Sequence, residues 1–318
     1  MTVRVISPRL LAQFVRAPED VIICYEFGLV ALYTGMSKIF RPRRVVSLVE
    51  GDYQHLGKTG TAAFKVALRR FAARLVDVFV ANNELAKSYL IDTLKVPEEK
   101  IVMGWWLAGM PLGLTARVPR NIPTVPDGVP RFVCASRLIP PKGIDLLIEA
   151  IATYRQEFGP CVLWILGDGP EKASLAELAH RLDLDDAVAF LGTVDHQGLK
   201  GALEACDVFV FPTLRDFIGR VAVEALTAGV PVVVSPMTGA AETIVQDGVN
   251  GIVVDPRDTH ALAAALHRAV DPQTLPALRA GVQRMNAALT PDAAADVILR
   301  AVALARRRPT AGGGPRPS

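Results

Sequence analysis

Apolar residues in this chain gather into short runs separated by longer amphipathic stretches. Val21–Cys24, Val45–Val49, Val78–Ala81 and Ile101–Met103 are brief, apolar and mostly β-branched, and they predict strands. Between them, Leu29–Phe40, Ala62–Leu75 and Glu84–Leu94 carry helical spacing. In Ala62–Leu75 the apolar Phe64, Leu68, Phe71 and Leu75 recur on one face, with Lys65, Arg69, Arg70 and Arg74 opposite. The second half is more regular. Phe132–Ser136, Cys161–Leu166, Val188–Leu191, Val208–Phe211, Val232–Ser235 and Ile252–Val254 read as strands with helical stretches between them, and Thr259–Val270 and Pro291–Arg307 as the closing helices.

Near-continuous apolar strands that alternate with helices imply parallel sheets covered on both faces. The expected fold is therefore α/β, with two Rossmann-like doubly wound domains facing a cleft lined by the carboxyl ends of their strands. The expected division is a partial first domain at 1–110, a proline-rich linker at 111–130 and a second domain at 131–290. A terminal helix at 291–308 and a basic, glycine-rich, disordered tail at 309–318 complete it.

Composition narrows the functional classes. A length of 318 residues suits two domains, and a net charge of +3 argues against nucleic-acid binding as the main activity. Cys24, Cys134, Cys161 and Cys206 are scattered without metal-ligand spacing, so a reduced, cytosolic protein is expected. No apolar run approaches the roughly 18 residues of a membrane span, and the N-terminus lacks a signal-peptide core. The basic face of Ala62–Leu75 is a solvated surface by default; contact with the inner face of a membrane is the alternative.

Candidate chemistry centres on Pro212–Pro231. A buried strand runs into a loop that ends at Gly219, where a helix begins. Asp216 stands in the loop. Glu224 stands among Val221, Ala222, Val223, Ala225 and Leu226, where an ionised carboxylate needs a partner. Strand, glycine turn and helix start together form an anion site, so a nucleoside diphosphate is expected there, with the carboxylates holding sugar hydroxyls. Arg137 leaves the end of an earlier strand and Lys142 opens the next helix, and a fork and a point charge so placed can hold a diphosphate. Taken alone they are equally surface charges. Gly167-Asp168-Gly169-Pro170 and Phe190-Leu-Gly192-Thr193 are strand-end turns, each a weak signal by itself. Glu242 reads as a helix-start acid and Asp247–Gly251 as a turn.

The order of these motifs resembles glycosyltransferase family 4, the retaining enzymes of GT-B fold. The resemblance covers residues 131–270 and rests on Ser136-Arg137-Leu-Ile-Pro-Pro-Lys142-Gly143, Gly167–Pro170, Phe190–Gly192, Cys206–Pro212, Asp216 with Glu224-Ala225, Gly229–Ser235 and Asp247–Gly251. A weaker likeness covers 21–104. The resemblance implies a nucleotide-sugar donor and no metal or other cofactor. Arg137 and Lys142 would hold the diphosphate, Asp216 the donor sugar and Glu224 the ribose. Backbone at Gly219, Arg220 and Val221 would meet phosphates, and backbone near Thr193 the base. Gly167, Asp168, Gly169, Phe217 and Ile218 would complete the donor-binding set. Two departures stand out. Asp216 and Phe217-Ile218-Gly219 replace the usual Glu and Phe-Gly, and the opening strand and glycine-rich loop of the first domain are missing. At the family's first-domain histidine position stands Glu50, with His55 displaced into the loop; both are acceptor-side candidates. The acceptor itself, a sugar, lipid-linked or small molecule, is unspecified. The competing expectation is a nucleotide-sugar-binding subunit that needs a partner chain for the missing strands.

Overall fold

The computed structural model describes residues 19–25, 29–50, 62–106, 114–119, 122–216, 218–286 and 289–307. The chain divides into two compact units, Met1–Trp106 together with Asp292–Ser318, and Leu107–Pro291. His55, Phe217 and the tail at 309–318 lie outside the described residues.

The first unit holds a parallel sheet of β1 (Val21–Tyr25), β2 (Arg44–Val49), β3 (Val78–Ala81) and β4 (Ile101–Met103), in that spatial order. One face packs Cys24, Val45, Val49, Phe79 and Ala81 under the helices α1 (Leu29–Met36), α2 (Ala62–Leu75) and α3 (Glu84–Ser88). The other face packs Val46, Val78 and Val80 against Val297, Ala301 and Ala305. These last residues belong to the final helix, Pro291–Arg307, which returns to the first sheet.

Two helices depart from their sequence pattern. In α2 the large apolar residues do not face the sheet: Phe64 is 73% exposed, Phe71 52% and Leu68 39%, while Ala72 and Ala73 are buried. Ala73 joins the core of this face and Leu75 is half-buried against Gly35 of α1, while Phe64, Leu68 and Phe71 are turned to the surface. The predicted helix Glu84–Leu94 keeps α-helical pairing only to Ser88. Beyond it the coil widens, and Leu94 N–H donates to the Tyr89 carbonyl.

The second unit is a six-stranded parallel sheet. Its strands are β5 (Arg131–Ala135), β6 (Val162–Leu166), β7 (Val188–Gly192), β8 (Val208–Phe211), β9 (Val232–Val234) and β10 (Gly251–Val253), ordered β10-β9-β8-β5-β6-β7. The helices are α4 (Ile144–Glu157), α5 (Lys172–Arg181), α6 (His196–Glu204), α7 (Arg220–Thr227), α8 (Gly239–Thr243), α9 (Thr259–Val270) and α10 (Thr274–Asn286); Pro291–Arg307 is then α11. Sequence pattern and structure agree on every strand to within a residue or so at the ends. The chain leaves β5 for β6 on one side and returns through β8 on the other. The order therefore reverses between β5 and β8, and open α/β sheets bind ligands at the carboxyl ends beside such a reversal.

Candidate active site at the reversal of the second sheet

Two loops meet at this point. The loop after β5 carries Arg137 and Lys142, and the loop after β8 carries Asp216 and Gly219. They are joined at the Pro141 carbonyl, which accepts from Leu214 N–H at 2.9 Å and from the Thr213 hydroxyl at 3.1 Å. Lys142 lies in a short turn just before α4 rather than in the helix itself. Its ammonium sits 5.5 Å from the centre of the Phe211 ring and 2.5 Å from Asp216 Oδ2.

Asp216 is fully engaged. Oδ1 accepts from the N–H groups of Ile218 (3.1 Å) and Gly219 (2.7 Å), while Oδ2 faces Lys142. Gly219 has φ of +68°, and a Cβ there would stand 2.5 Å from Thr238 Oγ1 and 2.7 Å from Ala240 Cβ, so only glycine fits this turn. From it α7 starts. Ala222 and Val223 donate to the Gly219 carbonyl, which leaves the N–H groups of Arg220 and Val221 without an intrahelical acceptor. Thr238 is buried beside this turn, and its hydroxyl has no hydrogen-bond partner among the described residues.

Glu224 is 5% exposed. Burial holds its carboxyl above the usual carboxylate range, partly offset by Arg220, whose Nε is 3.6 Å from Oε1, and by His196. A buried carboxylate with one long ion pair can still accept hydrogen bonds from ligand hydroxyls.

A hollow of about 460 Å³ lies beside these loops and meets them at Arg137 and Val221. Arg137, Gly167, Asp168, Thr193, His196 and Val221 are among its lining residues. A neighbouring hollow of about 470 Å³ shares Thr193, Val194 and Asp195 and continues along Arg117, Val118 and Pro119. Gly167 has φ of +128°, and a Cβ on it would lie 1.8 Å from the Ser136 carbonyl oxygen. This glycine lets the loops after β5 and β6 touch. Gly169 does the same against Leu138 O and does not line the hollow.

Arg137, Lys142, Asp216, Ile218, Gly219, Arg220, Val221 and Glu224 are thus gathered at one end of the sheet, with Gly167, Asp168 and Thr193 on the hollow's wall. Glu50 lies in the first unit, buried, with Tyr25 donating to its Oε2. Sequence reading passed over His196, Asp195 and Thr238. His196 opens α6 and Asp195 caps it through Gly198 N–H, a helix-start pattern directly after Thr193 that could have drawn attention to them.

Comparison with known proteins gives a consistent picture. The family model described as glycosyl transferases group 1 matches residues 118–280. The chain is 38% identical over 144 residues to a GDP-mannose-dependent alpha-(1-6)-phosphatidylinositol monomannoside mannosyltransferase of Mycobacterium tuberculosis, covering 43% of this chain and 37% of that protein. It is 32% identical over 163 residues to the lipopolysaccharide core biosynthesis glycosyltransferase LpsE of Rhizobium meliloti, covering 51% and 46%. The matches therefore span less than half the length of these relatives. Among solved structures, Anabaena Alr3699/HepE in complex with UDP superposes with a TM-score of 0.76 at 22% identity, over 93% of this chain and 82% of that one. Sucrose-phosphate synthase from Thermosynechococcus elongatus gives 0.72 at 22% identity, over 92% and 75%. Those two likenesses show the fold: parallel-sheet, Rossmann-like units of the GT-B kind.

Proposed function

This chain belongs to the glycosyl transferases group 1 family, and from that premise we propose that it is a retaining, metal-independent glycosyltransferase of the family 4 type. It moves a sugar from a nucleoside diphosphate donor to a hydroxyl acceptor. The observation that carries this reading is the convergence of Arg137, Lys142, the start of α7 and Glu224 at the reversal of the second sheet, beside a hollow of about 460 Å³.

Each group has a role. Arg137 and Lys142 hold the diphosphate and neutralise the charge that grows on it as it leaves. The Arg220 and Val221 N–H groups add the field of a helix start. Glu224 accepts from the ribose hydroxyls, and the strand end at Thr193 meets the base. The acceptor oxygen bonds to the anomeric carbon as the carbon–oxygen bond to phosphate breaks on the same face, and the departing phosphate oxygen takes the acceptor proton. Asp216 holds Lys142 and the loop before the donor arrives, and a diphosphate competes with it for that ammonium. GDP-mannose is the first donor to try, because the mannosyltransferase relatives are named for it.

A lipid-linked acceptor at a membrane's inner face fits the surface of α2. Phe64, Leu68 and Phe71 form an exposed apolar stripe flanked by exposed Lys65, Arg70 and Arg74, a pattern suited to an anionic lipid surface. No described helix is long and apolar enough to cross a membrane. Four buried free thiols suit a reducing compartment.

Titration calorimetry with GDP and UDP tests the site. Arg137→Ala and Lys142→Ala should each weaken diphosphate binding by about ten- to a hundredfold, the worth of a charge-assisted hydrogen bond. Undiminished binding of both nucleotides in both variants would refute the assignment.

A further inference from the structure

One buried hydroxyl in the second unit is left idle by the fold. Thr238 precedes the short helix α8, is 2% exposed, and its Oγ1 has no hydrogen-bond partner among the described residues. A threonine at the start of a helix ordinarily caps it, with the side-chain oxygen accepting from an N–H of the first turn. Thr238 makes no such bond; its carbonyl, not its hydroxyl, accepts from Ala241 N–H at 3.1 Å. Its backbone is extended, with φ −117° and ψ 141°, which valine takes as readily. Valine would also fill nearly the same volume without burying an unpaired polar group, which costs stability. Folding alone does not explain the threonine.

The residue beside Thr238 is Asp216. The two form an isolated parallel bridge, in which Asp216 N–H donates to the Met237 carbonyl at 3.2 Å and Gly239 N–H to the Asp216 carbonyl at 3.1 Å. Residues paired across such a bridge send their side chains to the same face. Both side chains also reach the Gly219 turn. Asp216 Oδ1 accepts from Gly219 N–H at 2.7 Å, and Thr238 Oγ1 stands 2.5 Å from where a Cβ on Gly219 would be. Carboxylate and hydroxyl therefore lie side by side at the start of α7. With Lys142 on Oδ2 and two N–H groups on Oδ1, the carboxylate is satisfied and the hydroxyl has nothing to do.

A diphosphate changes that balance. Once the Lys142 ammonium turns to phosphate, Oδ2 loses its partner. A half-buried carboxylate without one is costly, and it also repels the arriving anion. Thr238 offers an idle donor on the same face as the carboxylate.

We infer that Thr238 is a positioning residue for donor binding. Its hydroxyl donates to the Asp216 carboxylate when the diphosphate has drawn Lys142 away. That bond turns the carboxylate toward the loop after β9 and away from phosphate, and it keeps Oδ1 on Gly219 N–H so that the start of α7 stays in place. The inference rests on the transferase reading, which puts the diphosphate at Lys142.

A double-mutant cycle tests it, with GDP and UDP affinities of the full chain measured by titration calorimetry. Thr238→Val keeps the shape and removes the hydroxyl. It should weaken both nucleotides about tenfold, the worth of one hydrogen bond to a charged group. Its melting temperature without nucleotide should be equal or higher, because no bond is lost from the empty site. Thr238→Ser keeps the hydroxyl and should bind within about twofold of wild type. In the Asp216→Asn background the charge is gone, and adding Thr238→Val should weaken binding by about twofold or less; the gap between the two losses measures the coupling of hydroxyl and carboxylate. Equal nucleotide affinity in wild type and Thr238→Val overturns the inference, as does an equal loss in both backgrounds or a loss that serine does not restore. A lower melting temperature of nucleotide-free Thr238→Val overturns it too, since the hydroxyl would then have a partner in the empty protein. Wild type that binds neither GDP nor UDP would overturn the transferase reading itself, and this inference with it.

Discussion

Glu224 shows how a single residue trades stability for binding. Burial raises its carboxyl above the ordinary value, so the folded state bears a penalty whenever the group is ionised. The sign follows from linkage. Below the unfolded value, near 4.5, both states are protonated and the penalty is absent; it grows as pH rises and is complete above the folded value. Glu224→Gln should therefore melt higher than wild type at neutral pH, with the gap closing toward pH 4, as measured by calorimetric scans. The same change should weaken GDP or UDP by roughly ten- to a hundredfold, because a charged acceptor for the ribose is lost. The sequence made this residue legible, since a glutamate among valines and alanines needs a reason. Asp216 was less legible. Its residue type marked it as a ligand carboxylate, but its partners are Lys142 and the N–H groups of Ile218 and Gly219, set by a left-handed turn that spacing does not reveal. Asp216→Asn keeps an oxygen for the loop and removes the charge beside the phosphate site. Nucleoside diphosphate affinity should rise while sugar transfer falls, a split visible by running calorimetry beside a turnover assay.

At the scale of elements, helix α2 shows what periodicity can and cannot reveal. The 3.6-residue recurrence of Phe64, Leu68, Phe71 and Leu75 identifies a helix with a continuous apolar stripe. It does not say which surroundings the stripe meets. Here the sheet takes Ala72 and Ala73, and the aromatics face outward. Exposed side chains contribute little to folding, so Phe64→Ser, Leu68→Ser and Phe71→Ser combined should leave the melting temperature nearly unchanged. Flotation with vesicles containing anionic lipid should reveal the loss: wild type rises with the vesicles, and the triple variant stays behind. Retained flotation in the triple variant would remove the stripe from the membrane reading. Most strands needed no such correction, because a short β-branched run flanked by turns is recognisable whichever face is buried.

Across the whole molecule, the alternation of strand and helix was enough to expect two parallel sheets, and the loops after β5 and β8 were recognisable as a pair. The return of α11 was not, because an amphipathic terminal helix carries no address for the sheet it covers. Val297, Ala301 and Ala305 close the core of Val46, Val78 and Val80, at the opposite end of the chain. That core is separate from the cluster of Phe132, Leu147, Ile165 and Leu266 in the second unit. A charge introduced into the first should thus unfold one unit while sparing the nucleotide site in the other. Ala301 is fully buried, and Ala301→Glu places an unpaired carboxylate against three valines, at a cost of about 3 kcal/mol or more. Differential scanning calorimetry should resolve an early transition that moves down in this variant and a later one that keeps its position and still shifts upward with GDP or UDP. A single transition displaced as a whole would mean that the two cores melt together and that the last helix stabilises the entire chain.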